Sequence, residues 1–332
     1  MKIKFSVIIP TFNVEKYIIK TLDSIFLQMN NDVEVIIVDD NSTDNTVNVI
    51  EKYLKNINGK RFKLFKNKKN LGTSCTKNIG IKNAKGIYMI FVDGDDWISK
   101  NFFNILKRKT ENNPDIIIID TIKYIEKEKI FKVERFNFKK LDFNLSKKNQ
   151  KKMIDNNICA RHCRFIVKSS IIRKNRINFP AGLLHEDELW VIDIISKHKT
   201  ILYVDSVKYF YRIHENSIMT TKTFNNTISI LKIIILIYKR KEMNYKKYCR
   251  YVIFRCIKNI YGNYPFINES CKKKLDEWYS KNRKIFEYSI AYNNTIFILY
   301  KIYGYKKCYY FYKKLNNFFS NNKRKDFYTR KV

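Results

Sequence analysis

The stretch Ile87-Tyr-Met-Ile-Phe-Val-Asp-Gly-Asp-Asp-Trp97 decides the fold predicted for this chain. Its apolar half, residues 87–92, suits a buried strand of a parallel sheet. That strand ends in three carboxylates, Asp93, Asp95 and Asp96. Open α/β sheets bind ligands at the carboxyl ends of their strands, and an Asp-x-Asp pattern there suits a divalent cation held against a diphosphate. We therefore expect the centre of the functional site here.

Strands and helices are predicted to alternate around this stretch. Residues 5–9, 33–38 and 62–65 are predicted strands, and a helical pattern follows each of them. This alternation predicts an α/β fold with a doubly wound, mostly parallel sheet. The ends of the first, second and fourth strands then lie side by side, so residues 10–13, 39–40 and 93–95 are expected around one crevice.

The second half of the chain gives a weaker pattern. A helix is predicted over residues 99–109, and strands over residues 115–119, 158–167 and 201–207, the last extended by residues 209–211. Another helix is predicted to start within residues 183–190. Asp96 is interpreted as support for the helix that starts after the acidic stretch.

The chain changes character after about residue 222, where Lys, Arg and aromatic residues become abundant and the apolar spacing is helical. We therefore predict a domain over residues 1–220 and a basic, aromatic-rich helical appendage over residues 221–332. Three roles are open for this appendage: a solvated helical domain, a contact with an anionic inner-membrane surface, or a nucleic-acid-binding region. No nucleic acid is expected as a partner, because the sequence lacks a recognisable binding motif.

Charge and cysteine content indicate the surroundings of the protein. The formal net charge of +35 over 332 residues predicts an anionic partner or substrate. The seven cysteines are scattered without a Cys-x-x-Cys pair, which is typical of free thiols in a reducing compartment. No apolar run approaches the length of a membrane span or of a signal peptide. We therefore expect a cytoplasmic protein, with a peripheral position on the inner membrane as an option.

Several motifs together resemble one known family. They are Ser6-Val-Ile-Ile-Pro-Thr-Phe-Asn13, Val38-Asp-Asp-Asn-Ser-Thr-Asp44, Asn70-Leu-Gly72, Lys77-Asn-Ile-Gly80, Phe91-Val-Asp-Gly-Asp-Asp96, His185-Glu-Asp187 and Tyr211-Arg-Ile-His-Glu-Asn-Ser217. Their order and spacing resemble the family 2 glycosyltransferases, which are inverting enzymes of the GT-A fold. The resemblance covers residues 1 to about 218.

The resemblance implies a role for each matching position. Asp187 would be the general base, and Asp95 would bind Mn²⁺ or Mg²⁺. The sequence has no Gly-x-Gly-x-x-Gly or Gly-Lys-Ser/Thr loop to cradle phosphates, so the metal and basic side chains would do so. The remaining implied roles are nucleotide binding by Pro10, Thr11, Asn13, Asp40, Lys77 and Asp93, a diphosphate lid with Arg212 and His214, and an acceptor side with His185, Glu186 and Trp190. Lys77 stands where most members of the family have Arg.

The function expected from this resemblance is metal-dependent, inverting sugar transfer. The donor would be a nucleotide sugar, most often a UDP-sugar, and the acceptor a hydroxyl of a glycan or lipid-linked glycan such as capsule or lipooligosaccharide. Two alternatives stay open. A nucleotidyltransferase on a similar sheet would need a Gly-rich basic loop after the first strand, which is absent. A non-catalytic lipid- or nucleic-acid-binding module would not need the acids at three strand ends.

Overall fold

The structure, a computed structural model, describes residues 3–57, 61–134, 161–197, 200–215, 224–240, 246–262, 269–290 and 329–331. Parts of some predictions lie outside these ranges, namely residues 158–160 of a predicted strand, residues 216–217 of the last motif, and residues 221–223, 241–245, 263–268, 291–328 and 332 of the predicted helical appendage. Within them one sheet contains β1 Phe5–Thr11, β2 Val33–Asp39, β3 Phe62–Lys66, β4 Tyr88–Phe91, β5 Trp97–Ile98, β6 Ile116–Ile125, β7 Ile130–Glu134, β8 Phe165–Lys168, β9 Ile201–Ile213 and β10 Thr329–Lys331.

The strand order is β10-β7-β6-β8-β4-β1-β2-β3, and β9 pairs with both β5 and β6. The four strands β3-β2-β1-β4 are parallel, as predicted. The pairs β4–β8, β6–β8, β6–β7, β5–β9 and β7–β10 are antiparallel. The long β6–β9 pair is parallel, so the second half of the sheet is mixed, which corrects the prediction of a mostly parallel sheet there. One reason is the short connection from β6 to β7, which permits only an antiparallel pair.

Helices cover both faces of the sheet. They are α1 Ile18–Phe26, α2 Thr46–Asn56, α3 Thr73–Asn83, α4 Phe102–Lys109, α5 Ser169–Lys174, α6 Asp187–Lys197, α7 Phe224–Lys239, α8 Lys246–Gly262, α9 Glu269–Lys281 and α10 Arg283–Ile290. Successive side chains of a strand point to opposite faces. Accordingly Ile8 and Phe91 join the core beneath α3 and α6, while Ile9 and Ile90 join the core beneath α1 and α4.

Within the described residues, the helices predicted after residue 222 are present as α7 to α10, whereas residues 329–331 of the predicted helical region form strand β10 beside β7. The apolar residues of these helices, among them Ile234, Val252 and Leu275, belong to the same core as Trp190 of α6. Along the described chain, no helix is both long enough and apolar enough to cross a bilayer. The boundary near residue 220 stays a prediction. Arg240, which follows α7, contacts Asp193 of α6, and Arg255 of α8 contacts Glu188 of α6, so these later helices lie against α6.

Candidate active site

The carboxyl ends of β1, β2 and β4 form one crevice, as predicted. Thr11 is paired with Asp39 in the β1–β2 register, and Ile8 with Phe91 in the β1–β4 register. The acidic loop after β4 lies tightly against the end of β1. A Cβ atom placed on Gly94 would be 3.1 Å from Thr11 Cγ2 and 3.2 Å from the Pro10 carbonyl oxygen. A side chain at position 94 would therefore require its neighbours to shift by a few tenths of an ångström.

Thr11 and Asp39 shape the first wall of this crevice. The Thr11 hydroxyl donates to Asp39 Oδ1 over 3.1 Å, and Asp39 Oδ2 accepts the backbone N–H of Ser42 at 2.9 Å. Asn13 is exposed and has a φ of 53°, and its Oδ1 accepts the backbone N–H of Thr43 at 2.8 Å. Pro10 is buried within β1. The predicted nucleotide contacts of Pro10, Thr11 and Asn13 stay predictions.

Asp40 lies beside these residues, and its backbone N–H donates to the Thr11 carbonyl oxygen at 2.9 Å. Its carboxylate accepts the side-chain amide of Asn67 and the backbone N–H groups of Leu71 and Gly72, at 2.8 to 2.9 Å. The side chain is 3% exposed. Asp40 thus fixes the loop over residues 67–72 at the edge of the crevice. Its predicted contact with the base of a nucleotide stays a prediction.

The acidic loop after β4 contacts the end of β9. His214 Nε2 lies 3.0 Å from Asp95 Oδ2, and the Arg212 Nε–H donates to the Asp95 carbonyl oxygen at 2.8 Å. The His214 ring packs against Tyr17 with centroids 4.7 Å apart, and the Arg212 guanidinium lies over the same ring at 4.7 Å. The predicted metal residue and the predicted lid residues are therefore neighbours.

Asp96 does not support a helix start, and that prediction is wrong. Two residues of β5 follow it, and α4 begins only at Phe102. Asp96 Oδ2 accepts the Tyr209 hydroxyl at 2.5 Å, and Oδ1 accepts the Arg212 backbone N–H at 2.7 Å. Burial, followed by the charges of Asp95 and Asp93, raises the pKa of Asp96 well above its usual range. Asp96 therefore anchors β9 to the acidic loop.

Asp93 begins a buried series of polar contacts that leads to helix α6. His162 Nε2 lies 3.3 Å from Asp93 Oδ1, and His162 Nδ1 lies 3.3 Å from Lys77 Nζ. Lys77 Nζ also donates to Glu186 Oε1 at 3.0 Å. Lys77 is only 2% exposed and Glu186 5%. The structure thus places Lys77, predicted as a nucleotide contact, and Glu186, predicted on the acceptor side, in an internal ion pair.

Asp187 is the first residue of α6 and is half-buried. Within the described ranges its carboxylate makes no hydrogen bond or ion pair. Burial, then the charges of Glu186 and Glu188, raises the pKa of Asp187 well above its usual range. A carboxylate with a raised pKa and uncommitted oxygen atoms has the properties of a general base.

Two predicted acceptor-side residues differ in position. His185 precedes α6 with a φ of 64° and is partly exposed. Burial lowers its pKa. Trp190 is 0% exposed and stacks on Phe179 with centroids 4.7 Å apart. Because Trp190 is buried in the core, it packs α6 against the sheet and cannot contact an acceptor. Its predicted position on the acceptor side is therefore wrong.

Sequence patterns missed three residues of this site. Tyr17 and Glu126 surround Arg212, since the Arg212 Nη1–H donates to Glu126 Oε1 at 2.9 Å and the Tyr17 hydroxyl donates to Glu126 Oε2 at 3.1 Å. His162 had a signal only as part of the mixed Cys/His segment over residues 159–163, which has too few ligands for zinc. No local pattern connects any of them to the acidic stretch.

The side chains around Asp95 fit a divalent cation that has only one or two protein ligands. Among the described residues no group of three or more His, Cys, Asp or Glu side chains is arranged as a metal cage. Mg²⁺ commonly takes only one or two carboxylates and completes its shell with water and substrate phosphates. Asp95, with its side chain 26% exposed beside His214, suits that arrangement.

Comparison with known proteins is consistent with this geometry. Residues 6–173 match the model of a family described as "Glycosyl transferase family 2". The chain is 33% identical over 250 residues to the poly(ribitol-phosphate) beta-N-acetylglucosaminyltransferase TarP of Staphylococcus aureus, covering 71% of this chain and 72% of that protein. It spans 31% and 62% of two other curated bacterial glycosyltransferases that it matches.

Solved structures share the fold. The S. aureus TarS fragment 1–349 in complex with UDP-GlcNAc has a TM-score of 0.68 at 21% identity, covering 86% of this chain and 82% of that one. The mannosyltransferase PcManGT from Pyrobaculum calidifontis, in complex with GDP-Man and Mn²⁺, has a TM-score of 0.53 at 13% identity, covering 96% and 88%. At these identities the likeness establishes the α/β fold of the GT-A type.

Proposed function

The chain belongs to glycosyl transferase family 2, and from that membership we propose that it transfers a sugar from a nucleotide-sugar donor to a hydroxyl of a surface glycan. The observation that carries this proposal is the position of α6. The ion pair between Lys77 and Glu186, together with the His162 contact to Asp93, sets the first turn of α6 beside the acidic loop after β4. A candidate base and a candidate diphosphate site therefore share one crevice.

The chain's own residues would divide the work in a single displacement. Asp187 takes the proton from the acceptor hydroxyl while the hydroxyl oxygen attacks the anomeric carbon. Because there is one attack, the configuration at that carbon is inverted. Arg212 and His214 approach the departing diphosphate from the end of β9. Asp95 would hold Mn²⁺ or Mg²⁺, and such an ion supplies electrostatic stabilisation of the leaving diphosphate. Asp93 would contact the ribose and the donor sugar.

The donor and the acceptor are proposed from the relatives. TarS binds UDP-GlcNAc in its solved complex, and TarP is named as an enzyme that acts on poly(ribitol-phosphate). A UDP-sugar donor and a polymeric surface glycan as acceptor are therefore the first candidates for this chain. The net charge of +35 favours an acceptor that carries anionic groups or lies at an anionic membrane surface. We place the enzyme on the cytosolic face of the membrane, in peripheral contact.

A screen of nucleotide sugars tests the proposal. Purified protein is incubated with UDP-, GDP- and other nucleotide sugars, each with and without Mn²⁺, while thermal stability and nucleotide release are measured. We expect one donor class to raise the melting temperature and to release its nucleotide in the presence of Mn²⁺. A protein that binds none of these donors and releases no nucleotide would contradict the proposal, and release of pyrophosphate would favour a nucleotidyltransferase.

A further inference from the structure

We propose that His162 is a positioning residue that connects the donor-side Asp93 to the helix carrying Asp187, through Lys77 and Glu186. This inference rests on the proposed sugar transfer. His162 lies in a short 3₁₀ helix, His162–Arg164, that immediately precedes β8. Its imidazole is placed between Asp93 on one side and Lys77 on the other, with 3.3 Å to each.

Hydrogen-bond directions determine the state of this imidazole. Lys77 is buried, which alone would lower its pKa, but Glu186 and then Asp93 raise the pKa above its ordinary value, so the ammonium is charged. An ammonium can only donate, and His162 Nδ1 must therefore accept from Lys77. The single proton of the neutral ring is then on Nε2, where it donates to Asp93 Oδ1. One arrangement of protons satisfies every contact in the series.

Packing holds the ring in this orientation. Phe91 and Phe179 meet the His162 ring nearly edge-on, with centroids 5.9 and 5.7 Å away and interplanar angles of 81° and 87°. The residue is 6% exposed. A rotated ring would remove one contact from Asp93 and one from the buried Lys77 ammonium, which would keep Glu186. Losing hydrogen bonds to charged groups is costly.

The series has a mechanical consequence for catalysis. Glu186 immediately precedes Asp187, so the ion pair of Glu186 with Lys77 fixes the start of α6. His162 contacts both Lys77 and Asp93 and so connects this ion pair to Asp93. The distance from a donor held by Asp93 to the base at Asp187 then depends on a buried series of three polar contacts. A misplacement of about 1 Å can cost about 100-fold in rate. His162 acts through these neighbours and does not touch the reacting atoms.

Two substitutions at position 162 test the inference. In His162→Gln, the amide offers one acceptor to Lys77 and one donor to Asp93, whereas His162→Leu fills similar space and offers neither. We expect kcat to fall by about 10- to 100-fold in His162→Leu, with the dissociation constant for UDP little changed, and to recover most of the wild-type value in His162→Gln. Wild-type kcat in the Leu variant, or equal losses in both variants, would overturn the proposal.

A spectroscopic measurement tests the same contacts without reference to activity. In ¹⁵N-histidine-labelled wild-type protein, the His162 signal is assigned by its absence from His162→Gln. We expect a neutral ring protonated at Nε2. A neutral ring protonated at Nδ1, or a doubly protonated ring, would overturn the proposal even if the Leu variant fails to fold. If wild type transfers no sugar from any donor, the proposed function fails, and this measurement still decides whether His162 connects Lys77 to Asp93.

Discussion

His214 Nε2 lies 3.0 Å from Asp95 Oδ2, and this contact joins the last residues of β9 to the acidic loop after β4. The two residues are 119 positions apart in the chain. Because Arg212 also donates to the Asp95 carbonyl oxygen, the end of β9 and the acidic loop form one unit. A diphosphate placed at Asp95 would therefore lie beside the end of β9, where Arg212 is 6% exposed and already donates to Glu126.

Replacing His214 with Phe should weaken metal-dependent transfer. Phe keeps an aromatic ring against Tyr17 but removes the nitrogen that contacts Asp95. Residues that orient a metal ligand typically change metal affinity or activity by about 10- to 100-fold, and we expect a loss of that size in turnover at subsaturating Mn²⁺. Turnover equal to wild type across a Mn²⁺ titration would show that the His214 nitrogen has no part in the site.

Asp95→Asn should abolish the response to divalent cations. The amide keeps the size of the side chain but removes the charge that attracts the cation. We expect Mn²⁺ no longer to raise UDP affinity in isothermal titration. Asp205→Asn is a matched control, because Asp205 lies in the exposed part of β9. The UDP affinity of this variant should respond to Mn²⁺ as that of wild type does. A normal Mn²⁺ response in Asp95→Asn would remove Asp95 as the metal residue.

The pH profile of turnover should report the raised pKa of Asp187. Burial and then the charges of Glu186 and Glu188 raise this pKa, and a base must be ionised to accept a proton. The rate should therefore rise with pH through a pKa above that of an ordinary aspartate. Glu188→Gln removes one like charge from the surroundings of Asp187 and should shift this acid limb to lower pH. An acid limb at the same pH in both proteins would contradict the assignment.

Arg255→Met should destabilise the protein. Arg255 of α8 donates to Glu188 of α6, and both side chains are largely buried. Removing the arginine leaves the Glu188 carboxylate without this partner, which we expect to lower the free energy of unfolding by about 1–3 kcal/mol. The exposed pair of Arg283 with Glu287 provides a control, since Arg283→Met should change the stability by less than about 0.5 kcal/mol. Equal losses in urea unfolding of the two variants would contradict the expectation.

The parallel half of the fold could be predicted from local sequence because its signals are local. Each of β1, β2 and β4 is rich in apolar residues and ends at polar residues. Because strands joined by helices commonly lie side by side in such a sheet, Thr11, Asp39 and Asp93 could be expected at one sheet edge. The second half of the sheet, which mixes parallel and antiparallel pairs, had no such signal. The alternating polar residues of β6 and β9 do not reveal that Tyr124 is paired with Arg212.

The contacts that connect the site residues could not be predicted from local sequence, because they join distant parts of the chain. His162 approaches Asp93 across 69 positions and Lys77 approaches Glu186 across 109, so only the tertiary fold brings them together. The burial of individual side chains could not be predicted from the sequence either. The sequence places Trp190 among the acceptor-side residues, but the helical face that it shares with Val191 and Ile194 points into the core. The acids, Arg212 and His214 could be found in the sequence, but the contacts between them could not.

Asp187→Asn is the variant that tests the account most directly. Turnover and the dissociation constant for UDP are measured for wild type and variant with the donor found in the screen. A positioned base typically contributes about 10²- to 10⁴-fold. We therefore predict that the rate of sugar transfer falls by about that factor while UDP affinity stays at the wild-type value. Transfer at the wild-type rate by Asp187→Asn would contradict the account, because the acceptor hydroxyl would then lose its proton to another group.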